Sequence, residues 1–210
     1  MFRRLAVTVL CVGLLVLLAP SDLQALQYQD PVLRIVALWS NGWEHVCTAV
    51  AMVGGYALTA GHCIDQAVTV RVEYWFYWTT INKIAVSLGP GFDFGIFNYP
   101  ERVSRFRARL DIDPIRTGEV VLIYGYPRGV RNDLVCVVQD KDPDNGFWAR
   151  CNGRFAGGGS GAPVFRAYGP PWRVVGVATH LDVRDRHNVF FTDGRTISRF
   201  VLLFLDLIRR

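Results

Sequence analysis

Three short segments of the chain carry residue types that can do chemistry together. Tyr56-Ala57-Leu58-Thr59-Ala60-Gly61-His62-Cys63 offers a histidine beside a cysteine. Phe92-Asp93-Phe94-Gly95-Ile96-Phe97 offers a carboxylate at the head of an apolar run, and Gly157-Gly158-Gly159-Ser160-Gly161-Ala162-Pro163-Val164 sets a serine in a glycine turn. A serine hydroxyl is a weak nucleophile and needs an imidazole to take its proton. The imidazole in turn needs a carboxylate to hold one tautomer and stabilise its charged form. A glycine turn lets the backbone approach a substrate closely and aim N–H groups at a developing oxyanion. On this reading His62 is the general base, Asp93 orients it and Ser160 is the nucleophile. The amides of Gly158 and Ser160 are the oxyanion donors. Asp65, Asp111 and Asp113 are rivals for the carboxylate role. Asp65 is too near His62 along a turn, and the other two lack the apolar strand that follows Asp93.

Strands must position these residues. Runs rich in Val, Ile, Thr and aromatics alternate with turn signals: Leu33–Trp39, Val46–Val53, Tyr56–Ala60, Val68–Thr79, Phe94–Tyr99, Glu119–Tyr124, Leu134–Gln139, Phe147–Cys151, Pro163–Arg166 and Val174–Thr179. Many short strands with close turns predict an all-β sandwich or barrel. The end of the chain differs, because Ile197, Phe200, Val201, Phe204, Leu205 and Ile208 follow helical spacing and predict a C-terminal α-helix docked by its apolar face.

The chain has 210 residues, of which 51% are hydrophobic and 20% charged, enough apolar content for a sizeable core and too much for a disordered chain. The formal charge is +5, but only Lys83 and Lys141 are lysines and the remaining cations are arginines. That skew is a compositional bias rather than the clustered patch that nucleic acid would select, so no nucleic-acid partner is expected. Arg3 and Arg4 precede an uncharged run from Leu5 to Ala19, the pattern of a secretory signal over residues 1–25, cut after Ser21 or Ala25. The run is shorter than the ~20 residues of a comfortable membrane span. An exported protein, secreted or periplasmic and without a stable membrane span once the signal is removed, is the expectation.

Cysteine usage agrees with export. Beyond Cys11 the chain holds Cys47, Cys63, Cys136 and Cys151, which allow three pairings. Spacing favours 47–63 with 136–151, and the second pair is nearly symmetric about the turn signal Asp142-Pro143-Asp144-Asn145-Gly146. Each bridge would close a loop of about 15 residues, worth roughly 3 kcal/mol in the chain-entropy model. A zinc site is the competing reading and lacks any Cys-x-x-Cys pair. No cofactor and no metal are expected.

Leu58 to Cys63 resembles the histidine motif of trypsin/chymotrypsin-like serine proteases, and Gly158 to Pro163 resembles their serine motif. Asp93-Phe94-Gly95-Ile96 resembles the aspartate motif, and the order His, Asp, Ser is that of the family. The spacing of Cys47 from His62-Cys63 matches the family bridge beside the histidine. The resemblance spans about Leu33 to Arg210. With Gly125-Tyr126-Pro127-Arg128-Gly129 it is closest in style to compact bacterial glutamyl-endopeptidase-like and heat-shock-type members. It implies two antiparallel six-stranded β-barrels with the site between them and a C-terminal helix. Residues 26–115 would form the barrel carrying His62 and Asp93, and 116–210 the barrel carrying Ser160 and the helix. The implied function is a secreted serine endopeptidase that acts on proteins or peptides through an acyl-enzyme, and a monomer is expected. A non-catalytic homologue used for binding is the second reading, disfavoured because the triad types and the glycine turn are intact.

Two departures bear on mechanism. Gly159 stands where digestive relatives carry an aspartate, and Ala162 where a glycine is usual. Arg34-Ile35-Val36 is similar to an activation site, yet Gly159 offers no carboxylate to receive a new ammonium, and Val36–Trp39 reads as the opening strand. No activating cut at Arg34 is therefore expected. For specificity, the resemblance directs attention to Arg154, Thr179 and His180, which would suit an acidic side chain; the alternative is that Arg154 faces solvent and His180 only shapes a wall.

Overall fold

A computed structural model describes residues 30–74, 77–81, 84–89, 92–99, 106–142, 146–169, 171–182 and 184–209. The expected signal segment, the centre of the Asp142–Gly146 turn and Trp75-Phe76 lie outside the described residues. Residues from Pro31 onward form one compact unit. Among the described residues, no helix is long and apolar enough to cross a membrane.

The chain is built from β1 (Val32–Trp39), β2 (Glu44–Met52), β3 (Tyr56–Thr59), a one-turn helix α1 (Gly61–Ile64), β4 (Ala67–Tyr74), β5 (Tyr77–Ile81), β6 (Ile84–Gly89) and β7 (Phe92–Asn98). It continues with β8 (Arg109–Leu110), β9 (Val120–Gly125), a 3₁₀ turn at Pro127–Gly129, β10 (Asn132–Asp142), β11 (Gly146–Cys151), β12 (Pro163–Arg166), β13 (Arg173–Leu181), β14 (Asn188–Asp193) and α2 (Gly194–Arg209). The first seven strands make one sheet in the order β5-β4-β1-β2-β3-β7-β6. The second sheet runs β12-β9-β10-β11-β14-β13-β8, and the β12–β13 pairing closes its six antiparallel strands into a barrel. The seventh strand, β8, pairs in parallel with the first two residues of β13. The all-β architecture with a C-terminal helix is thus as expected, and the second sheet closes as a six-stranded barrel. The first, expected to close likewise, is an open half-barrel whose end strands β5 and β6 do not pair among the described residues.

Strand alternation explains the burial. In β4, Val70 and Val72 turn inward while Thr69 and Arg71 are only partly covered. Three clusters result. One fills the first sheet around Leu33, Ile35, Val72 and Phe97. One fills the second around Ile123, Val138, Phe147 and Phe191. The third, with Leu58, Phe94 and Ile96 from the first sheet and Phe165, Val174 and Val177 from the second, joins the two. Helix α2 contributes Ile197, Val201 and Phe204 to that joining core. Its N-terminus is capped by the Asp193 carboxylate, which accepts from the Thr196 amide at 2.8 Å. The Phe200 ring meets Phe94 edge-on at 4.9 Å, so the helix braces the strand that carries Asp93.

The run read as one strand, Val68–Thr79, is a hairpin of β4 and β5. Its connection falls in an aromatic run with no Gly, Pro, Asn or Asp to mark a turn. Strands β6, β8 and β14 were also absent from the pattern reading; β8 is two residues long and carries no period at all. Both expected disulfides are present, Cys47–Cys63 and Cys136–Cys151. The second bridges directly paired residues of β10 and β11.

Peptide mapping under non-reducing conditions is expected to recover these two linked pairs. Replacing Cys136 and Cys151 together by serine should lower unfolding free energy by roughly 3 kcal/mol, read from urea midpoints. Arg34 and Ile35 sit within β1, paired to β2 on one side and β4 on the other, and Ile35 is fully buried. Brief trypsin treatment of the native protein should therefore leave the Arg34–Ile35 bond intact. Recovery of an Ile35 N-terminus together with a rise in activity would contradict this.

Candidate active site

His62 lies on α1, which packs against β7. That approach requires Gly95, the third residue of the aspartate motif. A Cβ there would fall 2.5 Å from Ile64 Cδ1 and 2.8 Å from its Cγ1. With the helix so close, Asp93 takes His62 by both carboxylate oxygens. The His62 amide donates to Oδ1 at 2.8 Å, and the ring Nδ1 lies 2.6 Å from Oδ2. A carboxylate acceptor at Nδ1 places the ring proton there and leaves the Nε2 lone pair available as a base. Asp93 is 6% exposed, whereas the His62 side chain is 38% exposed. Burial pushes the Asp93 carboxyl up, but the hydrogen bonds and charge of His62, with the charge of His180, outweigh it. The result lies below the ordinary 3.8.

Ser160, in the turn before β12, lies by its main chain next to the bridge beside His62, and no hydrogen bond among the described residues joins its side chain to His62. Its carbonyl accepts from the Thr48 amide at 2.9 Å and lies 3.7 Å from the Cys63 sulfur, which in a disulfide has no proton to donate. The next residue, Gly161, has φ +82, and a Cβ on it would fall 2.1 Å from the Thr48 carbonyl oxygen and 2.2 Å from Thr59 Oγ1. Only glycine fits. Gly158 has φ +90, and a Cβ there would meet the Tyr126 carbonyl oxygen at 2.6 Å. Ala162, the departure from the usual glycine, is buried against Gly125, whose missing side chain makes the room. Among the described residues, the amides of Gly158 and Ser160 donate to no protein acceptor.

None of the rival carboxylates bonds to His62 among the described residues. Asp111 is buried and accepts from Arg166 Nε at 3.0 Å, with Arg173 Nε at 3.6 Å. The Asp113 amide caps that same carboxylate. Asp65 closes the C-terminus of α1. Of the three residues considered for specificity, Thr179 and His180 are neighbours on β13. Arg154 is exposed, and no hydrogen bond or ion pair among the described residues joins it to Thr179 or His180. Thr179 is buried and its Oγ1 lies 3.0 Å from His180 Nδ1. His180 stands beside the catalytic candidates, its Nε2 4.0 Å from Asp93 Oδ2 and its ring 6.3 Å from that of His62.

Sequence reasoning missed His45, whose ring is 6.3 Å from His62 and stacks on Trp39 at 5.8 Å. Burial first, and then the charge of His62, hold its imidazole below the ordinary 6.5. It also missed Thr48; the signal available was a polar residue inside the apolar run Val46–Met52. The one grouping of candidate metal ligands among the described residues is His45 with Cys47 and Cys63, whose sulfurs are committed to the disulfide.

The lowered Asp93 carboxyl has a consequence for stability. A carboxylate with a depressed folded-state pKa stabilises fully above its unfolded value and loses that contribution as pH falls through the folded value. Wild type and Asp93→Asn should therefore differ most in urea midpoint near neutral pH. The gap should narrow as pH falls past 3.8. A gap independent of pH would show that Asp93 is not ionised in the folded state.

No protein-family model matches the chain, and no curated protein matches it in sequence. Solved structures do match in shape. The Rv3671c protease of M. tuberculosis in its active form superimposes with a TM-score of 0.67 at 18% identity, over 82% of this chain and 80% of that one. HL collagenase gives 0.70 at 13% identity, over 84% and 94%. The scabies mite inactivated protease paralogue S-I1 gives 0.69 at 18%, over 85% and 94%. At these identities the likeness is one of fold, and the chain has the trypsin/chymotrypsin-like serine protease fold.

Proposed function

We propose that the protein is an exported serine endopeptidase acting through His62, Asp93 and Ser160. The observation that carries this reading is the two-point hold of Asp93 on His62, which spans 31 residues of sequence and leaves the other ring nitrogen unengaged by the carboxylate. Fold alone does not carry it, since the inactivated mite paralogue shares the fold. In the proposed reaction, His62 Nε2 accepts the Ser160 proton as Oγ attacks the scissile carbonyl carbon. The Gly158 and Ser160 amides take the oxyanion, and the imidazolium is stabilised by Asp93. His62 then returns the proton to the departing amine, leaving an acyl-enzyme. Water, deprotonated by the same imidazole, releases the acid.

Proteins or peptides are the substrates on this reading. Export follows from the signal pattern in residues 1–25 and is supported by the two disulfides. Residues 26–115 and 116–210 are read as the two halves that meet at the site, in a monomer.

An active-site-directed phosphonate should label Ser160 in the wild-type protein. Ser160→Ala should abolish labelling and turnover of a diverse peptide library while leaving thermal unfolding unchanged. Asp93→Asn should lower kcat on the scale of ~10⁴, as a mis-set tautomer does. Undiminished hydrolysis by Ser160→Ala would refute the assignment.

A further inference from the structure

Oxyanion donors work only if their peptide units are aimed before the substrate arrives, and here the loop bearing them is Gly157-Gly158-Gly159, the least constrained sequence a chain can offer. No side chain within those residues can anchor them. Each peptide unit is instead held from outside. The Gly157 carbonyl accepts from the Arg128 amide at 2.6 Å. In a planar trans unit the N–H points away from the carbonyl, so this bond sends the Gly158 N–H to the opposite side. The Gly159 carbonyl accepts from the Ala162 amide at 2.9 Å, which directs the Ser160 N–H in the same manner. The middle unit, which sets the angle between those two donors, is held at both ends. Its N–H, from Gly159, donates to the Ala156 carbonyl at 3.0 Å, and its carbonyl, from Gly158, accepts from Thr48 Oγ1 at 2.8 Å.

Thr48 Oγ1 is the one side-chain group among these anchors. Its direction is itself fixed. The Tyr126 amide donates to the hydroxyl oxygen at 2.9 Å, so the hydroxyl proton is turned onto Gly158. The main chain of Thr48 adds two further ties: its amide donates to the Ser160 carbonyl at 2.9 Å, and its carbonyl accepts from Thr59 Oγ1 at 2.7 Å. The residue is fully buried, so no water competes for these bonds.

Resting on the serine protease reading above, we propose that Thr48 is a positioning residue of the oxyanion hole, its hydroxyl locking the Gly158–Gly159 peptide so that the Gly158 and Ser160 amides converge. The hydroxyl touches no reacting atom. It acts through the loop, and its loss affects the transition state more than substrate binding.

The test compares Thr48→Val, which keeps the shape and removes the hydroxyl, with Thr48→Ser, which keeps the hydroxyl. Thr48→Ala serves as a second hydroxyl-free variant in case valine does not fold, and rates are normalised to the folded fraction by near-UV circular dichroism. The readouts are the rate of Ser160 labelling by a fluorophosphonate, and kcat and KM on the best fluorogenic peptide from a library. For the hydroxyl-free variants, labelling rate and kcat should each fall about ten- to a hundredfold, less than the loss of a donor itself. KM should stay within about twofold, and Thr48→Ser within about threefold of wild type in every readout. Undiminished labelling in the hydroxyl-free variants, or a serine variant as impaired as they are, would overturn the role. Ser160→Ala in the same assay separates the two readings: retained turnover there overturns the serine mechanism itself, whatever the Thr48 variants do.

Discussion

At Thr48 and Gly161 the backbone of β2 meets the backbone of the serine loop with no space for a side chain between them. A Cβ on Gly161 would sit 2.1 Å from the Thr48 carbonyl oxygen. Everything in the site is referred to this seam. On the loop side, Ser160 precedes the contact and presents its carbonyl to the Thr48 amide. On the sheet side, Cys47 precedes Thr48 and is bonded to Cys63, the neighbour of His62. The disulfide therefore ties the histidine to the strand that registers the serine. A shift of one sheet against the other would break the seam before it moved either residue separately.

The joining core keeps the seam closed. Phe94 and Ile96 of β7, flanking Gly95 on the strand of Asp93, pack in the same cluster as Val174 and Val177 of the second sheet and the apolar face of α2. Asp93 is thus held by a strand buried from both sides, which explains how a carboxylate so little exposed stays in place against the cost of its burial. That cost is met by two hydrogen bonds from a single residue, one from the main chain and one from the ring. Where the chain passes to the second sheet, Asp111 is buried under Arg166 and Arg173, and Arg166 also pairs with Glu119. Removing one member of such a group leaves buried charge unpaired, so the passage is fixed by electrostatics as well as packing.

The glycine turn illustrates how a resemblance and a physical account differ. The motif Gly158 to Pro163 identifies the serine, yet the functional weight of its glycines rests on partners far away in sequence. Gly158 answers to Tyr126, Gly161 to Thr48 and Thr59, and Ala162 to Gly125. The segment Gly125-Tyr126-Pro127-Arg128-Gly129, which in sequence carries only a likeness of style, supplies two amides to this network, from Tyr126 and Arg128. Arg128 does so with φ +55, an unusual conformation for a residue with a side chain.

Local pattern alone determined the elements that report on themselves: β-strands whose alternation marks a buried face, the amphipathic helix with Ile197, Val201 and Phe204 inward, and cysteine pairs at hairpin spacing. It did not reveal the hairpin within the aromatic run, or the short β8, because neither carries a period or a turn residue. Tertiary structure decided what depends on residues distant in the chain. It set Asp93 rather than Asp111 against His62, because Gly95 admits α1 and the arginines claim Asp111. It set His180 beside Asp93. It also gave Thr48 its partners, 110 residues away at Gly158 and 78 away at Tyr126. A hydroxyl in a strand has no sequence signature for the carbonyl it will meet, since that meeting is fixed only when two sheets close on one another.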